Sequence, residues 1–300
     1  MNLDFGIALA GFIVGIVVGL TGMGGGALMT PVLVLGFGIE PLTAVSSDLV
    51  AAVAMKPIGG GIHFRRGTVH TGLVKWLALG SVPGALLGSY VISHLSGDVG
   101  DTIQTVLGIV LLVAAAAMIV RMYLARRRGV GVDGDEARRV PVRRAATLAV
   151  GLVGGTVVGM TSVGSGSLMI VALMLLYPTL SSRELVGTDL VQAVPLVLAA
   201  ALGHLLWGEF ELGLTTSLLV GSIPGVIIGA QISSRAPDHF IRPVLVLVLA
   251  LTGLKLLGVA NEVLLAVLVL SIVTGGMTWF VTRRRAHARL AGTAAAASPR

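Results

Sequence analysis

The stretch Gly19-Leu-Thr-Gly-Met-Gly-Gly-Gly-Ala-Leu-Met29 recurs further along the chain as Gly159-Met-Thr-Ser-Val-Gly-Ser-Gly-Ser-Leu-Met169. Six of the eleven positions are identical. The same register, within one residue, pairs Ser47-Asp-Leu-Val50 with Thr188-Asp-Leu-Val191. Chance similarity between apolar segments would not keep one register over this length, so the chain is predicted to contain two copies of one unit.

Both copies lie in long apolar segments. Of the 300 residues, 55% are hydrophobic and 12% are charged, whereas a soluble domain is about 25% charged because its surface faces water. The apolar runs have about the ~20 residues that a helix needs to cross the hydrocarbon core, and they do not alternate as barrel strands would. The sequence therefore predicts an all-α, polytopic membrane helix bundle. The runs are residues 42–62, 73–92, 103–120, 185–206, 212–232, 244–259 and 263–281.

Equivalent loops of the two copies carry opposite charge. Arg65 and Arg66 follow a membrane run of the first copy, whereas Glu209 and Glu211 follow the equivalent run of the second. Basic residues mark the cytoplasmic side, so the copies are predicted to form an inverted-topology repeat, as in many secondary transporters. The same rule predicts a multi-pass protein of the plasma (inner) membrane with a cytoplasmic C-terminus and an outside N-terminus.

We expect five regions along the chain. In each repeat, a glycine-rich break inside the first apolar run predicts a helical hairpin, with three full helices after it. The sequence leaves open whether the hairpin arms cross fully or turn back midway. The regions are a first membrane repeat (1–122), a basic cytoplasmic linker (123–144), a second, inverted repeat (145–260), an extra membrane helix (261–283) and a mobile cytoplasmic tail (284–300).

Glycines four residues apart precede each break. Small residues at this spacing let two membrane helices approach closely, so both ladders predict helix-packing faces. The ladders are Gly11, Gly15 and Gly19 in the first copy, and Gly151, Gly155 and Gly159 in the second.

The glycine-rich breaks are candidate anion sites. A break leaves backbone N–H groups unpaired, which hydrocarbon tolerates only where the break is buried in protein or lines a wet cavity. The helices that resume near Ala27 and Ser167 would point positive N-terminal ends into the membrane, and such ends attract anions. A plain tight turn is the alternative interpretation. The candidate substrate-binding residues are Thr21, Gly22, Gly24, Gly25 and Gly26, then Thr161, Gly164, Ser165 and Gly166, and finally Lys56.

Three charged residues lie inside apolar runs. A carboxylate in the membrane costs about 2.5–3.5 kcal/mol, so Asp48 and Asp189 are expected to face the bundle interior and to bind a coupling proton or cation. Capping of a helix that begins nearby is the alternative. Lys56 has no counterpart, because Val197 occupies the equivalent position. A single cation suits a single anion site, and snorkelling to the membrane surface is the alternative.

Several classes are disfavoured. The chain has no cysteine, so disulfides and thiolate metal sites are excluded. The net charge of +7 comes largely from basic clusters beside membrane runs, which indicate topology and not a nucleic-acid partner. His63 and His204 are expected to pack and not to bind a metal. No enzyme motif or cofactor motif is visible, and direct use of ATP would need a separate subunit.

Taken together, the glycine-rich hairpins, the Ser/Thr-Asp-Leu-Val segments and the Gly-Ser-x-Pro-Gly-x-x-x-Gly helices resemble the sulfite exporter TauE/SafE family of membrane transporters. The resemblance covers most of residues 5–260. It implies transport of sulfite, sulfonates or related sulfur-containing organic anions across the inner membrane. The positions that match the family are Gly22, Gly24, Gly26, Gly164 and Gly166, with Asp48 and Asp189.

These observations predict a secondary transporter of a small sulfur-containing anion, of the sulfite or organosulfonate class, that works by alternating access. Its partners would be the anion, the lipid bilayer and a coupling proton or cation. The alternatives are an anion channel lined by the same hairpins, or a transporter of another small metabolite or cation that uses Asp48 and Asp189. The sequence does not indicate an oligomeric state.

Overall fold

The computed structural model describes residues 3–21, 25–94, 99–127, 134–232 and 238–271. Within these ranges the chain is helical and contains no strand. Residues 1–257 form one compact unit, and residues 258–300 form a second, which contains helix Asn261–Ser271. The helices of the first unit are α1 (Phe5–Thr21), α2 (Gly26–Pro31), α3 (Pro41–Arg65), α4 (Thr71–Ser93), α5 (Val99–Arg127), α6 (Gly134–Arg138), α7 (Arg144–Thr161), α8 (Leu168–Leu176), α9 (Ser182–Trp207), α10 (Leu212–Ile232) and α11 (Asp238–Leu256).

Six of the described helices are long and apolar enough to cross a membrane. They confirm the prediction of a polytopic all-α bundle. The six spans are Pro41–Arg65, Thr71–Ser93, Asp101–Ala125, Arg144–Thr161, Ser182–Trp207 and Leu212–Ile232. The part of the predicted extra helix beyond Ser271, and the predicted tail, lie outside the described residues.

Both predicted hairpins have one long and one short arm. In the second hairpin α7 has 18 residues and α8 has 9, so α8 is about 14 Å long, less than half of the ~30 Å hydrocarbon core. In the first hairpin α1 has 17 residues, and a π-helical turn, Val32–Gly36, extends α2. Neither short arm is long enough to cross a membrane alone.

Glycines bring the first helix of each half against a helix of the other half. Along α1, a Cβ added at Gly15 would lie 2.6 Å from the carbonyl oxygen of Ser222 in α10. Along α7, a Cβ at Gly155 would overlap the carbonyl oxygen of Ser81 in α4. Any side chain at these positions would push the helices apart, so both ladders are helix-packing faces, as predicted.

Helices of the first half (α1–α5) pack against helices of the second half (α7–α11) in matching pairs. α1 packs along α10, and its equivalent α7 packs along α4; α3 packs against α9, and α5 against α11. The opposite orientation of the two halves relative to the membrane stays a prediction. This packing places α3 and α9, which carry the predicted aspartates, side by side in the middle of the first unit.

Side-chain caps fix where α3 and α9 begin. The carboxylate of Glu40 accepts a hydrogen bond from the Thr43 N–H at 2.9 Å, with Pro41 in the first turn. The hydroxyl of Ser181 accepts one from the Glu184 N–H at 3.2 Å. These are ordinary N-terminal caps, and they place both aspartates about two turns inside their helices.

The described part of the predicted linker is packed on the bundle. α5 extends to Arg127, and α6 follows at Gly134–Arg138. Ala137 of α6 is fully buried in an apolar cluster with Leu73, Leu173 and Tyr177. Apolar burial therefore anchors this segment beside the second hairpin.

Candidate functional site

Asp48 lies about two turns inside α3 and has no exposed surface. The Ser162 hydroxyl donates a hydrogen bond to its Oδ2 at 2.6 Å, and the Thr30 hydroxyl donates to the same atom at 3.2 Å. Oδ1 accepts no hydrogen bond. Because Glu40 caps this helix, the capping interpretation of Asp48 is wrong. The side chain is a buried carboxylate with one oxygen satisfied.

Asp189 occupies the equivalent place in α9 and is also buried. The side-chain amide of Gln192, one turn later, donates to its Oδ1 at 3.1 Å. The amide oxygen of Gln192 accepts a hydrogen bond from Ser81 of α4, also at 3.1 Å. The capping interpretation fails here too, since Ser181 caps the helix. Oδ2 of Asp189 accepts no hydrogen bond.

Lys56 lies two turns beyond Asp48 on α3. Its Nζ donates a hydrogen bond to Ser165 Oγ in the second hairpin at 2.7 Å. Its charge also acts on both Asp48 and Asp189. With only 6% of its surface exposed, the side chain does not snorkel. The structure therefore brings the predicted cation and the predicted carboxylates into one buried centre.

The tip of the second hairpin, residues 162–167, takes a backbone path that favours glycine. Gly164 and Gly166 have φ angles of +129° and +90°, and Ser162 has φ +59°. Such conformations cost an L-residue energy but cost glycine little. The guanidinium of Arg121 donates to the Gly166 carbonyl oxygen at 2.9 Å. The tip is thus held in a shape that turns the Ser162 and Ser165 hydroxyls toward α3.

The start of α2, which follows the first glycine-rich break, contacts the second tip. A Cβ added at Gly26 would overlap the carbonyl oxygen of Ser162, so the backbones are in direct contact. Gly25 lies beside Asp48 Oδ1. The predicted residues Gly22 and Gly24 lie outside the described residues.

The two threonines of the candidate set bond within their own helices. The Thr21 hydroxyl donates to the Val17 carbonyl oxygen at 2.8 Å. The Thr161 hydroxyl donates to the Val157 carbonyl oxygen at 2.7 Å and accepts from the Val163 N–H at 3.2 Å. A role in substrate binding stays a prediction for both residues.

Two small cavities lie near this centre. The first, about 50 Å³, is lined by residues from both halves, among them Val18, Gly25, Met55 and Lys56. The second, about 20 Å³, is lined in part by Ser165. A water needs about 10–15 Å³ by this measure, so the first cavity has room for several waters or one small polyatomic anion. The Lys56–Ser165 hydrogen bond joins the walls of the two cavities.

His204 and His63 both form contacts within the protein. His204 is fully buried; its Nε2 donates to the Gly159 carbonyl oxygen at 2.7 Å, and its Nδ1 lies 2.8 Å from Ser46 Oγ. His63 lies 2.9 Å from the Thr68 hydroxyl in the following loop. Among the described residues, no group of three or more His, Cys, Asp or Glu side chains could hold a metal ion.

Three site residues were missed by sequence reasoning. Thr30 is a lone hydroxyl in an apolar helix and gave no signal. Gln192 lies one helical turn after Asp189, and this spacing was a usable signal. Arg121 lies at the end of the apolar run 103–120, where an arginine is typical of the membrane surface, but it is 7% exposed and bonded to the second tip.

Comparison with known proteins places the chain among transporters. The model of the sulfite exporter TauE/SafE family matches residues 7–256. The probable membrane transporter protein YjnA of Bacillus subtilis is 38% identical over 257 residues, which are 84% of this chain and 98% of that protein. The probable membrane transporter protein YdhB of the same organism is 26% identical over 255 residues, covering 84% and 99%. No solved structure matches.

The family match spans most of the chain, and the match to YjnA is nearly full-length. The chain therefore belongs to the sulfite exporter TauE/SafE family of membrane transporters.

Proposed function

We propose that this TauE/SafE-family protein is a secondary transporter that moves a small sulfur-containing anion, of the sulfite or organosulfonate class, by alternating access. The family membership supports transport in general. One observation supports the anion: a buried ammonium, Lys56, lines a cavity between the two halves and is bonded to the tip of the second hairpin. Asp48 and Asp189 compensate this charge in the absence of substrate, and the ammonium remains a charged hydrogen-bond donor for a small anion that enters the cavity.

The composition of the cavity favours a small, compact anion. Of the described residues that line it, Lys56 alone is charged, and its neighbours Met55 and Leu190 are apolar. A sulfonate or sulfite group would accept hydrogen bonds from the Lys56 ammonium and the Ser165 hydroxyl. A small organic substituent would contact the apolar wall. Charge-assisted hydrogen bonds are about twice as strong as neutral ones, so Lys56 would dominate the affinity.

Alternating access is supported by the way in which the halves pack. Each first helix is held tightly, backbone to backbone, by a helix of the other half. Such pairs would move as rigid units around the α3–α9 centre, as in other transporters built from repeats. Asp48 and Asp189, one on each central helix, would carry the coupling ion.

The test is a thermal-shift screen of the purified protein against sulfite, sulfate, thiosulfate, sulfoacetate and taurine. A ligand that binds the folded state raises its apparent stability. We expect one of these sulfur anions to stabilise the wild type, and Lys56→Met to lose that response while Lys75→Met, at an exposed position, keeps it. Stabilisation that persists in Lys56→Met would remove Lys56 from the site.

The same screen decides the alternatives. The unpartnered oxygens of Asp48 and Asp189 favour a cation substrate as the second candidate. If Na⁺ or amines stabilise the protein while no anion does, the anion proposal is wrong and the aspartates become the substrate site. Unitary conductance in a planar bilayer would identify a channel, whereas a carrier gives slow, saturable flux.

A further inference from the structure

The two buried aspartates have different surroundings. Asp48 accepts hydrogen bonds from two neutral hydroxyls, those of Ser162 and Thr30, and both reach the same oxygen. Lys56 is the charged side chain that acts on this carboxylate. The second oxygen, Oδ1, is buried, and none of the described residues donates a hydrogen bond to it. Burying an acceptor without a hydrogen-bond donor costs free energy, so a proton or a cation bound at this atom would be stabilising.

Asp189 lies among stronger partners. It accepts a hydrogen bond from the Gln192 amide, and the backbone N–H of Gly166 also faces it. Two cations, Lys56 from α3 and Arg121 from α5, act on its charge. Among the described residues no group donates to its Oδ2 either, so the two carboxylates differ in the cations around them and not in this free oxygen. Two cations against one favour Asp189 as the carboxylate that stays ionised as a counter-ion.

The surroundings of Asp48 Oδ1 suit a proton and not a metal cation. A Cβ placed on Gly25 would lie 3.2 Å from the Met55 methyl group, 3.5 Å from Oδ1 and 3.9 Å from a Val18 methyl group, so among the described residues Oδ1 and these two methyl groups meet at Gly25. No group of three or more described His, Cys, Asp or Glu side chains there could hold a metal ion. A metal cation needs several oxygen ligands around it, and methyl groups supply none. A proton needs one acceptor atom. Val18, Gly25 and Met55 also line the cavity that contains Lys56, so Oδ1 lies at the edge of the proposed anion site.

We infer that Asp48 binds the coupling proton on Oδ1, and that this proton and the transported anion bind together. The part that concerns the anion rests on the proposed function. With Asp48, Asp189, Lys56 and Arg121 all ionised, the centre is formally neutral, and an arriving anion would give it a net negative charge. Protonation of Asp48 removes one negative charge, so the proton and the anion favour each other's binding.

The first test detects the proton without any anion. Infrared difference spectra of the purified protein are recorded between about pH 8 and about pH 5, the interval in which a perturbed buried carboxyl titrates. We expect the C=O stretch of a protonated carboxyl group at low pH in the wild type. The band disappears in Asp48→Asn and remains in Asp189→Asn and in Asp101→Asn, an exposed control at the start of α5. A band that survives in Asp48→Asn overturns the inference.

The second test measures the affinity for thiosulfate, whose own charge is constant over this pH interval. One co-bound proton makes the wild-type Kd fall by at most about tenfold per unit decrease in pH. Asp48→Asn mimics the protonated state, so its Kd is expected to be independent of pH and within about threefold of the low-pH wild-type value. Asp101→Asn keeps the wild-type slope.

The outcomes separate the two proposals. If no sulfur anion binds at any pH while the infrared band belongs to Asp48, the proton site stands and the anion proposal fails. If thiosulfate binds with the same pH slope in wild type and Asp48→Asn, the anion proposal stands and the inference fails. Asp189→Asn removes a counter-ion of Lys56 and Arg121 and so can prevent folding. If it does, the comparison of Asp48→Asn with Asp101→Asn still shows whether Asp48 carries the proton.

Discussion

Gly15 of α1 packs against the backbone of α10, and Gly155 of α7 packs in the same way against α4. The tips that follow these two helices differ. In the second tip, Ser162 and Ser165 stand where the repeat has glycines in the first half. The Ser162 hydroxyl donates to Asp48, and the Ser165 hydroxyl accepts from Lys56, a cation with no counterpart in the second half. The scaffold is therefore alike in the two halves, whereas the polar centre is not.

This difference has a physical reason. Close packing of membrane helices depends on small residues at fixed spacing, and each half has the same helix pair to pack. One binding site between two halves needs only one set of ligands. Hydroxyls on the second tip that reach side chains of α3 give the centre a single orientation. A second copy of Lys56 would add a buried charge that nothing compensates.

The largest effect should come from breaking the scaffold. Gly155→Leu would drive a side chain into the backbone of α4, and Gly15→Leu would do the same against α10. Overpacking costs about 1–3 kcal/mol where side chains can shift, and here the obstacle is backbone, so we expect neither variant to yield monodisperse protein. Size-exclusion chromatography in detergent measures this.

Gly61→Leu is the matched control, since no atom lies near a Cβ at that position of α3. It should elute like the wild type. If the Gly155→Leu variant folds and the Gly15→Leu variant does not, the two halves are not equivalent even in their packing.

The scaffold, that is, the helices and their close packing, was largely predictable from the sequence. Spacing of small residues and the length of apolar runs are local properties, so the ladders, both hairpins and five of the seven apolar runs were predicted correctly. The run 244–259 forms the shorter apolar helix Pro243–Leu256, and the run 263–281 is described only as far as Ser271. The lengths of the short hairpin arms were not predicted, because the sequence pattern does not show how far the helix continues past a glycine break.

The centre was less predictable, because its contacts join residues far apart in the chain. Ser162 and Asp48 are separated by 114 positions, and nothing local indicates that they meet. The capping alternative for the aspartates could not be decided either, since the true caps, Glu40 and Ser181, lie about two turns earlier. Charge alone did not indicate that Arg121 is buried, because a buried arginine and a surface arginine at a helix end look the same in a sequence.

A smaller loss of stability should distinguish His63 from His204, which occupy matching positions of the two copies. His204→Ala removes the hydrogen bond to Gly159, which joins α9 to α7, and leaves a void in a fully buried position. We expect a loss of about 1–3 kcal/mol in stability. His63 is half-buried at a helix end and bonded to Thr68. We therefore expect His63→Ala to lower the stability by less than about 0.5 kcal/mol. Melting temperatures of the two purified variants give the comparison, and equal losses would contradict it.

The last effect is on anion binding and not on stability, and it tests the difference between the halves most directly. Ser165→Ala removes the hydroxyl that holds Lys56, and so makes the second tip more like the first. The ammonium loses its fixed position and the anion loses one donor, so we expect anion affinity to fall about tenfold, which corresponds to about 1.4 kcal/mol. Ser167→Ala, two residues along the same tip, is the control, because no side-chain cap links Ser167 to α8. Isothermal titration of both variants measures the affinities. If the affinity of Ser165→Ala equals that of Ser167→Ala, the hydroxyl does not position Lys56, and the asymmetry of the tips serves packing and not binding.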